Sequence, residues 1–405
     1  MNIKSLLLGS AAALVAVSGA QAADAIIAAE PEPVEYVRVC DAFGTGYFYI
    51  PGTETCLRIH GYVRYDIGAG ELFEVNSNKT ITGAPAAPVA SSGTYMKRAR
   101  ASFRVSTASE TEMGTLRTYV ETRWQFDTNG VSNALTNPVV ANSLVGYSND
   151  GEFSINFAWI QLGGLRVGKD ESFFTTWTGY GGSVIADTLA GGYGPFDTNL
   201  ISYTYNGGAF RAGIALEQGD DSFYNATTGT YTGWGIDDYM PHVVVGAGYN
   251  AGMFDLSAVV GFDTRDNTFV NGVQTGVRGG WTGKLRADVT LSDQASLFAM
   301  LMYGENGSAY TTWANGAVTD ETFSVLAGGT YVATDKVTFN AQVQWVEANT
   351  ATGGPASDEW SVNANMNYTV VPGLVVTPEL AWYDNGTNAA NSDRFGAILR
   401  VQRSF

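Results

Sequence analysis

The chain has 405 residues, with 22 Lys and Arg against 39 Asp and Glu, two His and a formal net charge of −17. With 49 Gly and 12% aromatic residues, the composition favours turns and strands and excludes a disordered chain. Beyond the N-terminal segment, no uncharged apolar run reaches the roughly 18 residues that a transmembrane helix requires, which excludes a helical membrane protein.

The N-terminal segment has the three parts of a secretory signal peptide. Lys4 supplies the positive region, residues 6–17 the apolar region, and Ala-Gln-Ala at 20–22 a cleavage site of small residues. We therefore predict a signal peptide over residues 1–22 and export of the rest. Cleavage removes one lysine and no acidic residue, so the exported chain is slightly more acidic than its precursor.

The next segment, residues 23–56, is predicted to be a periplasmic N-terminal segment, and it carries Cys40 and Cys56, the two cysteines of the chain. In an oxidising compartment they can pair across a small loop. Two cysteines with a distant histidine make a poor zinc site, so we expect a Cys40–Cys56 disulfide and no bound metal.

From Leu57 to Phe405 the chain alternates apolar and polar residues in about sixteen short segments. In the first of these, Ile59 and Val63 have one parity and Arg58 the other. Because successive strand side chains point to opposite faces, each segment predicts a strand with one oily and one polar face. The connections between consecutive segments alternate as well: a short turn is followed by a long loop. A membrane β-barrel needs this arrangement, because its turns lie on one side of the bilayer and its loops on the other.

Seven short turns and eight long loops are predicted. The turns are 107–114, 163–164, 206–208, 250–252, 292–294, 334–336 and 371–373. A soluble β-sandwich would alternate too, so alternation alone leaves both folds open. Aromatic residues near the predicted strand ends favour the barrel, because they suit girdles at the two membrane interfaces. They are Tyr65, Trp124, Phe153, Trp159, Tyr249, Phe262, Trp281, Tyr303, Trp345, Trp360 and Trp382.

The last segment supports the same fold. Phe395, Leu399 and Val401 share a parity with Phe405, on which the sequence stops. We expect Phe405 to be the assembly signal read by the machinery that inserts outer-membrane barrels. The sequence thus predicts an all-β fold over residues 57–405, a 16-stranded antiparallel transmembrane β-barrel with short periplasmic turns and long extracellular loops.

Several stretches resemble one family. Residues 33–40 (PVEYVRVC) and 46–58 (GYFYIPGTETCLR), with 114–119 (GTLRTY) and 161–169 (QLGGLRVGK), are similar to outer-membrane porins of the rhizobial and Brucella type from alphaproteobacteria. The resemblance extends over essentially the whole exported chain. It implies a trimer, a water-filled channel for small hydrophilic solutes and ions, and a third long loop, here about Lys169 to Asn199, that folds into the barrel.

The candidate site is a constriction between that loop and a basic wall. Parity places seven arginines of three neighbouring strands on the face turned to the lumen: Arg58, Arg64, Arg98, Arg100, Arg104, Arg117 and Arg123. Opposite them we expect the acidic residues of the third loop: Asp170, Glu171, Asp187 and Asp197. The expected result is a transverse electric field across the narrowest point, in a channel with weak cation preference.

Each part of this site has a simpler interpretation. The arginines can pair with Glu121 or Asp66 and merely hold the wall, and Asp170 and Asp197 can cap the loop ends. Two other functions also stay open: a substrate-selective channel, and a barrel acting mainly as an adhesin or envelope anchor. No hydrolase, metalloprotease, phosphate-loop or dinucleotide motif occurs, so we expect no enzyme, cofactor or nucleic-acid partner. The expected partners are outer-membrane lipid and lipopolysaccharide.

Overall fold

A computed structural model describes residues 38–77, 92–132, 145–225, 230–270, 273–305, 307–314, 321–348, 358–386 and 393–405. Within these ranges sixteen long strands form one antiparallel sheet, in which each strand pairs with its neighbours along the chain. In chain order the strands are β1 Cys56–Ala69, β2 Ser92–Thr111, β3 Gly114–Ser132, β4 Val145–Leu162, β5 Leu165–Glu171, β6 Asp197–Gly207, β7 Phe210–Glu217, β8 His242–Asn250, β9 Phe254–Asp263, β10 Gly280–Ser292, β11 Ala295–Glu305, β12 Glu321–Thr334, β13 Val337–Val346, β14 Glu359–Val371, β15 Leu374–Asp384 and β16 Asp393–Ser404.

The sheet closes on itself. The last strand, β16, pairs with β1 from Tyr62 opposite Ser404 to Ala69 opposite Ala397. A closed sheet has no unpaired edge, so its backbone groups are satisfied where no water is available to bond them. The predicted sixteen-stranded antiparallel barrel is confirmed.

Several short strands and two short helical segments are added to the barrel. Short strands at Phe48–Tyr49 and Glu74–Ser77 pair with β1 and β2. Two small hairpins lie in the long loops, Phe223–Asn225 with Thr230–Thr232 and Thr268–Val270 with Val273–Gly276. In the part of the chain that the structure describes, helical structure is limited to a 3₁₀ turn at Asp41–Phe43 and helix α1 at Phe173–Trp177. Within the described ranges, neither has the length or apolar character of a membrane span.

The two faces of the sheet differ in polarity as the alternation predicts. On β1 the side chain of Val63 is 57% exposed on the outside, whereas Asp66 is 2% exposed and faces the interior. On β13 the outward Phe339 is exposed while Asn340 is buried on the inner face. Apolar side chains therefore face the lipid and polar side chains the lumen, which is the reverse of a soluble globular core.

All seven predicted turns are present. Six match the predicted positions to within two residues, and the first is tighter than predicted, because β2 continues to Thr111 and β3 begins at Gly114. Gly208 and Gly252 have φ values of +74° and +80°, which a side chain would strain. The tight reversals therefore occur where the sequence offers glycine.

One irregularity overturns a prediction. At Asn156 a register shift interrupts the pairing of β3 with β4, so that Phe157 and Ile155 are the flanking paired residues. The extra residue of such a bulge reverses the alternation beyond it. Trp159 consequently lies opposite Tyr119 on the lumen face. The prediction that Trp159 belongs to a membrane-interface girdle is wrong.

The predicted disulfide is confirmed. Cys40 and Cys56 are bonded and buried with Tyr47 and Ala108, at the end of the barrel where β1 begins. The short strand at Phe48–Tyr49 pairs back onto the first residues of β1. Residues 40–55 are thus fastened both covalently and by backbone hydrogen bonds. The predicted signal peptide, residues 1–22, lies outside the described residues.

Replacing both cysteines by serine is expected to lower the free energy of unfolding by about 3 kcal/mol, the loop-closure value for a ring of this size. Denaturant unfolding of the barrel in detergent measures the change, and sixteen-stranded pairing should survive it. A reductant should produce the same shift in the wild-type protein and none in the double variant. A wild-type midpoint that does not respond to reductant would contradict the prediction.

Candidate pore constriction

The seven candidate arginines all lie on the lumen face, and we call them the basic stripe. The strand register sets their neighbours across the sheet. Arg64 lies opposite Arg100, and Arg104 lies opposite Glu121. Arg98 and Arg104 are six residues apart on β2, or about 20 Å along the strand. The stripe therefore follows the strand direction and does not form a single ring.

Three carboxylates within the wall bind part of the stripe. Arg98 makes two 2.8 Å hydrogen bonds to Asp127. Glu121 forms an ion pair with Arg104 at 2.9 Å and accepts a hydrogen bond from Arg123 at 2.7 Å. These pairs match the simpler interpretation, in which the arginines hold the wall.

A third carboxylate, Asp66, lies 3.6 Å from Arg64 and binds Arg400 of β16 at 2.8 Å. Arg100 donates to the amide oxygen of Gln125 at 2.7 Å. Seven guanidinium groups against these three carboxylates leave the stripe with a net positive charge.

Two members of the stripe lie at the end of the barrel that carries the disulfide. The guanidinium carbon of Arg117 lies 6.0 Å from the ring centre of Phe43. Arg58 lies beside Gly46 and opposite Ser106. The structure thus places both beside residues 40–55, away from Arg98 and Arg100.

The third loop, residues 172–196, folds back onto the lumen face and we call it the inner loop. At its start, Glu217 of β7 accepts hydrogen bonds from Ser172 Oγ at 2.8 Å and from the Phe173 backbone N–H at 2.6 Å. Near its end, Lys284 Nζ donates to the Tyr193 carbonyl at 2.6 Å. These partners project inward from β7 and β10, so both ends of the loop are fixed inside the barrel.

The tip of the inner loop is held by its backbone. Glu379 of β15 accepts hydrogen bonds from the backbone N–H groups of Ile185 and Ala186, the latter at 2.8 Å. Asn365 donates to the Ser183 carbonyl at 2.9 Å. Gln342 donates to the Asp187 carbonyl, also at 2.9 Å. Because the wall residues bind main-chain atoms, the side chains of the tip take no part in these anchoring hydrogen bonds.

The four acidic candidates, of which Asp187 lies in the inner loop and the others on the strands that flank it, each have a local partner. Asp170 and Glu171 close β5, where Asp170 binds Arg166 at 2.7 Å and Glu171 accepts from Tyr180. Asp197 opens β6 and binds Lys169. Asp187 accepts from the Tyr193 hydroxyl at 2.8 Å. Among the described residues, no ion pair joins any of the four to the basic stripe, so the facing acidic side of the constriction stays a prediction.

Asp187 is the candidate inside the loop, and burial there raises its pKa. The hydrogen bond from Tyr193 opposes that rise, while the nearby carboxylate of Glu379 adds to it. Asp187 therefore takes up a proton at a higher pH than an exposed aspartate.

Acidification is accordingly expected to weaken cation preference, because protonation removes a negative charge from the inner loop. The Asp187→Asn variant should show reduced cation preference at neutral pH, and its selectivity should change less on acidification than that of the wild type. Reversal potentials in a salt gradient, recorded across a pH series, test both statements. Identical pH profiles for the two proteins would remove Asp187 from the ion path.

A second inward segment, residues 307–314 between β11 and β12, was not anticipated from the sequence. The Tyr310 hydroxyl donates to Glu217 at 3.0 Å, and the Thr312 carbonyl accepts from the Gly192 N–H at 2.9 Å. Trp313 is fully buried against Gly191. The sequence signal for it is the occurrence of two large aromatic residues, Tyr310 and Trp313, in a predicted long loop. This segment clamps the inner loop from the end of the barrel that carries the long loops.

Phe405 closes the sheet. It exchanges two 3.0 Å backbone hydrogen bonds with Gly61 of β1, and its ring is 59% exposed on the outer face. The placement agrees with an outward aromatic terminus, while its role as an assembly signal stays a prediction.

A closed sixteen-stranded barrel with an apolar outer face, a charged lumen and an inward loop defines an outer-membrane channel protein of the porin type. The chain belongs to the porin subfamily, whose family model matches residues 24–400. It is 45% identical to Porin Omp2b of Brucella neotomae and to Porin Omp2b of Brucella abortus (strain 2308), in both cases over 100% of each chain. The resemblance to Brucella-type porins is thereby confirmed, and the chain is an outer-membrane channel.

Solved structures agree on the fold. The outer membrane channel DcaP of Acinetobacter baumannii matches 88% of this chain and 99% of its own, with a TM-score of 0.59 at 15% identity. Salmonella typhi OmpF, solved in a complex with daunomycin, matches 87% of this chain and 98% of its own, with a TM-score of 0.53 at 13% identity.

Proposed function

We propose that this porin is a general diffusion channel for small hydrophilic solutes and ions, narrowed where the inner loop stands across the lumen from the basic stripe. The observation that carries the proposal is the uncompensated positive charge of the stripe. Arg64 and Arg100 lie directly opposite each other on neighbouring strands, and such a like-charge pair opposes sheet formation. A feature that weakens the wall is best accounted for by a role in the lumen.

The proposed mechanism is electrostatic. Guanidinium groups stay charged at any relevant pH, so the stripe supplies a permanent positive side to the narrowest section. Asp187 of the inner loop supplies the negative side, with Asp170, Glu171 and Asp197 at the strand ends that flank the loop. A hydrated dipolar solute can align in this transverse field, whereas an apolar solute would have to displace oriented water. Small polar solutes should therefore cross and apolar solutes of the same size should not.

Planar-bilayer recording of the purified protein tests the proposal. We expect stepwise currents with weak ion selectivity, leaning toward cations because of the net negative charge of the chain. Saturable block by one solute would identify a substrate-selective channel instead. A folded barrel that carries no current would favour an adhesin or an envelope anchor.

The cellular setting is proposed from the family and the sequence. Cleavage of residues 1–22 would deliver the chain to the periplasm, and residues 23–56 would stay on that side of the membrane. We propose a homotrimer, embedded among lipid and lipopolysaccharide and inserted by the barrel assembly machinery through Phe405. A related fold has been solved as a trimer, OmpT of Vibrio cholerae, with a TM-score of 0.50 at 12% identity. Cross-linking of native membranes, read as a ladder with three bands, tests the trimer.

A further inference from the structure

A recess lies in the lumen on the periplasmic side of helix α1. It has a volume of about 320 Å³ and is bounded by the first residues of the inner loop and by β5, β6 and β7 near their periplasmic turns. A solute that has passed the inner loop meets this recess before leaving the channel. Its volume lies at the small end of ligand-binding cavities, which fits one small molecule.

The charged groups of the recess are balanced. Arg166 and Arg211 line it together with Asp170 and Glu171. Arg166 donates to Gln161 and Asp170, and the two terminal nitrogens of Arg211 donate to Asp255 at 2.9 and 2.6 Å. Each guanidinium has five N–H groups, so both retain donors beyond these bonds. The Glu171 carboxylate accepts from the Tyr180 hydroxyl and has further lone pairs.

An aromatic wall stands beside these charges. The rings of Phe173 and Trp177 are stacked with their centres 4.9 Å apart. They fit over glycines: a Cβ on Gly213 would lie 2.5 Å from the Phe173 ring, and one on Gly246 would lie 2.5 Å from the Trp177 ring. The Trp177 indole N–H donates to the Ala247 carbonyl at 3.1 Å, which fixes the ring. The chain therefore leaves room on two strands for this one aromatic pair.

From this combination we infer that the recess is a binding site for a zwitterionic aromatic α-amino acid. The carboxylate of such a solute can bind Arg166 or Arg211, its ammonium group can bind Glu171, and its side chain can pack on Trp177, which the buried Phe173 supports. An ion of a single sign could bind one of the two kinds of group and would be repelled by the other, and a neutral aromatic solute could form an ion pair with neither. The inference rests on the proposed function, because the solute reaches the recess through the channel.

The test is single-channel recording with L-phenylalanine added on the periplasmic side. We expect brief, concentration-dependent interruptions of the potassium chloride current. Phenylacetate, which lacks the ammonium group, phenethylamine, which lacks the carboxylate, and glycine, which lacks the ring, should each give at least tenfold fewer interruptions. Equal interruption by either aromatic ion would overturn the assignment of a zwitterion.

Glu171→Gln is the matched variant, because the amide keeps the size and the acceptor for Tyr180 but removes the charge. Its control is Glu152→Gln, which removes one lumen charge from β4, outside the recess. We expect phenylalanine interruptions to fall about tenfold in the first variant and to persist in the second. Unchanged interruptions in Glu171→Gln, or their absence in a conducting wild-type channel, would overturn the inference. A wild-type protein without any current would instead overturn the proposed function.

Discussion

Replacing Glu379 by alanine is expected to increase single-channel conductance and current noise. The Glu379 side chain is 2% exposed and holds the tip of the inner loop through the backbone N–H groups of Ile185 and Ala186. Hydrogen bonds to a charged group contribute about 1.5 to 3 kcal/mol each. Losing two of them leaves the tip held by Asn365 and Gln342. The more weakly held loop then spends time away from its present position, and the lumen widens.

Glu379→Gln separates anchoring from charge. The amide oxygen can still accept one backbone N–H, and its neutral hydrogen bonds are weaker. Its conductance should therefore fall between those of the wild type and the alanine variant. The comparison requires a folded barrel, which heat-dependent gel mobility verifies. Wild-type conductance in a folded alanine variant would show that Glu379 does not position the loop.

Changing Arg98, Arg100 and Arg104 together to serine is expected to shift selectivity strongly toward cations. The basic stripe would keep four arginines against the three carboxylates that bind it, so its net charge would fall from +4 to +1. Asp127 would also lose its bidentate partner and present a free negative charge to the lumen. Reversal potentials in a potassium chloride gradient measure the change.

The matched control replaces the same three residues by lysine. Lysine keeps the charge but not the planar, bidentate geometry. If selectivity depends on charge, the lysine variant should stay close to the wild type while the serine variant departs from it. Reversal potentials that agree among all three proteins would remove these residues from the constriction.

The sequence was sufficient to predict the barrel because a strand has a strict two-residue period. That period alone assigns Arg98, Arg100 and Arg104 to the lumen, and the strand register agrees. It failed at Trp159, where a bulge reverses the alternation. A bulge is set by how two strands pair, so one strand read alone gives no warning of it.

The hydrogen-bond partners of the side chains were harder to predict than the face of the sheet on which each residue lies. The sequence identified Asp187 and Asp197 as acidic loop residues, but their hydrogen-bond partners, Tyr193 and Lys169, depend on how the loop folds back. The clamp formed by Tyr310 on Glu217 joins residues 93 positions apart. Such contacts are fixed by three-dimensional packing, and no local pattern encodes them.

The joining of β1 to β16 has a consequence for biogenesis. Tyr62 finds its partner at Ser404, so the cylinder cannot be sealed until nearly all of the polypeptide has left the ribosome. Pairing between residues so far apart in sequence is slow, and an open intermediate exposes two unpaired strand margins to other chains. The topology therefore requires that both margins stay protected from other chains until the first and last strands meet.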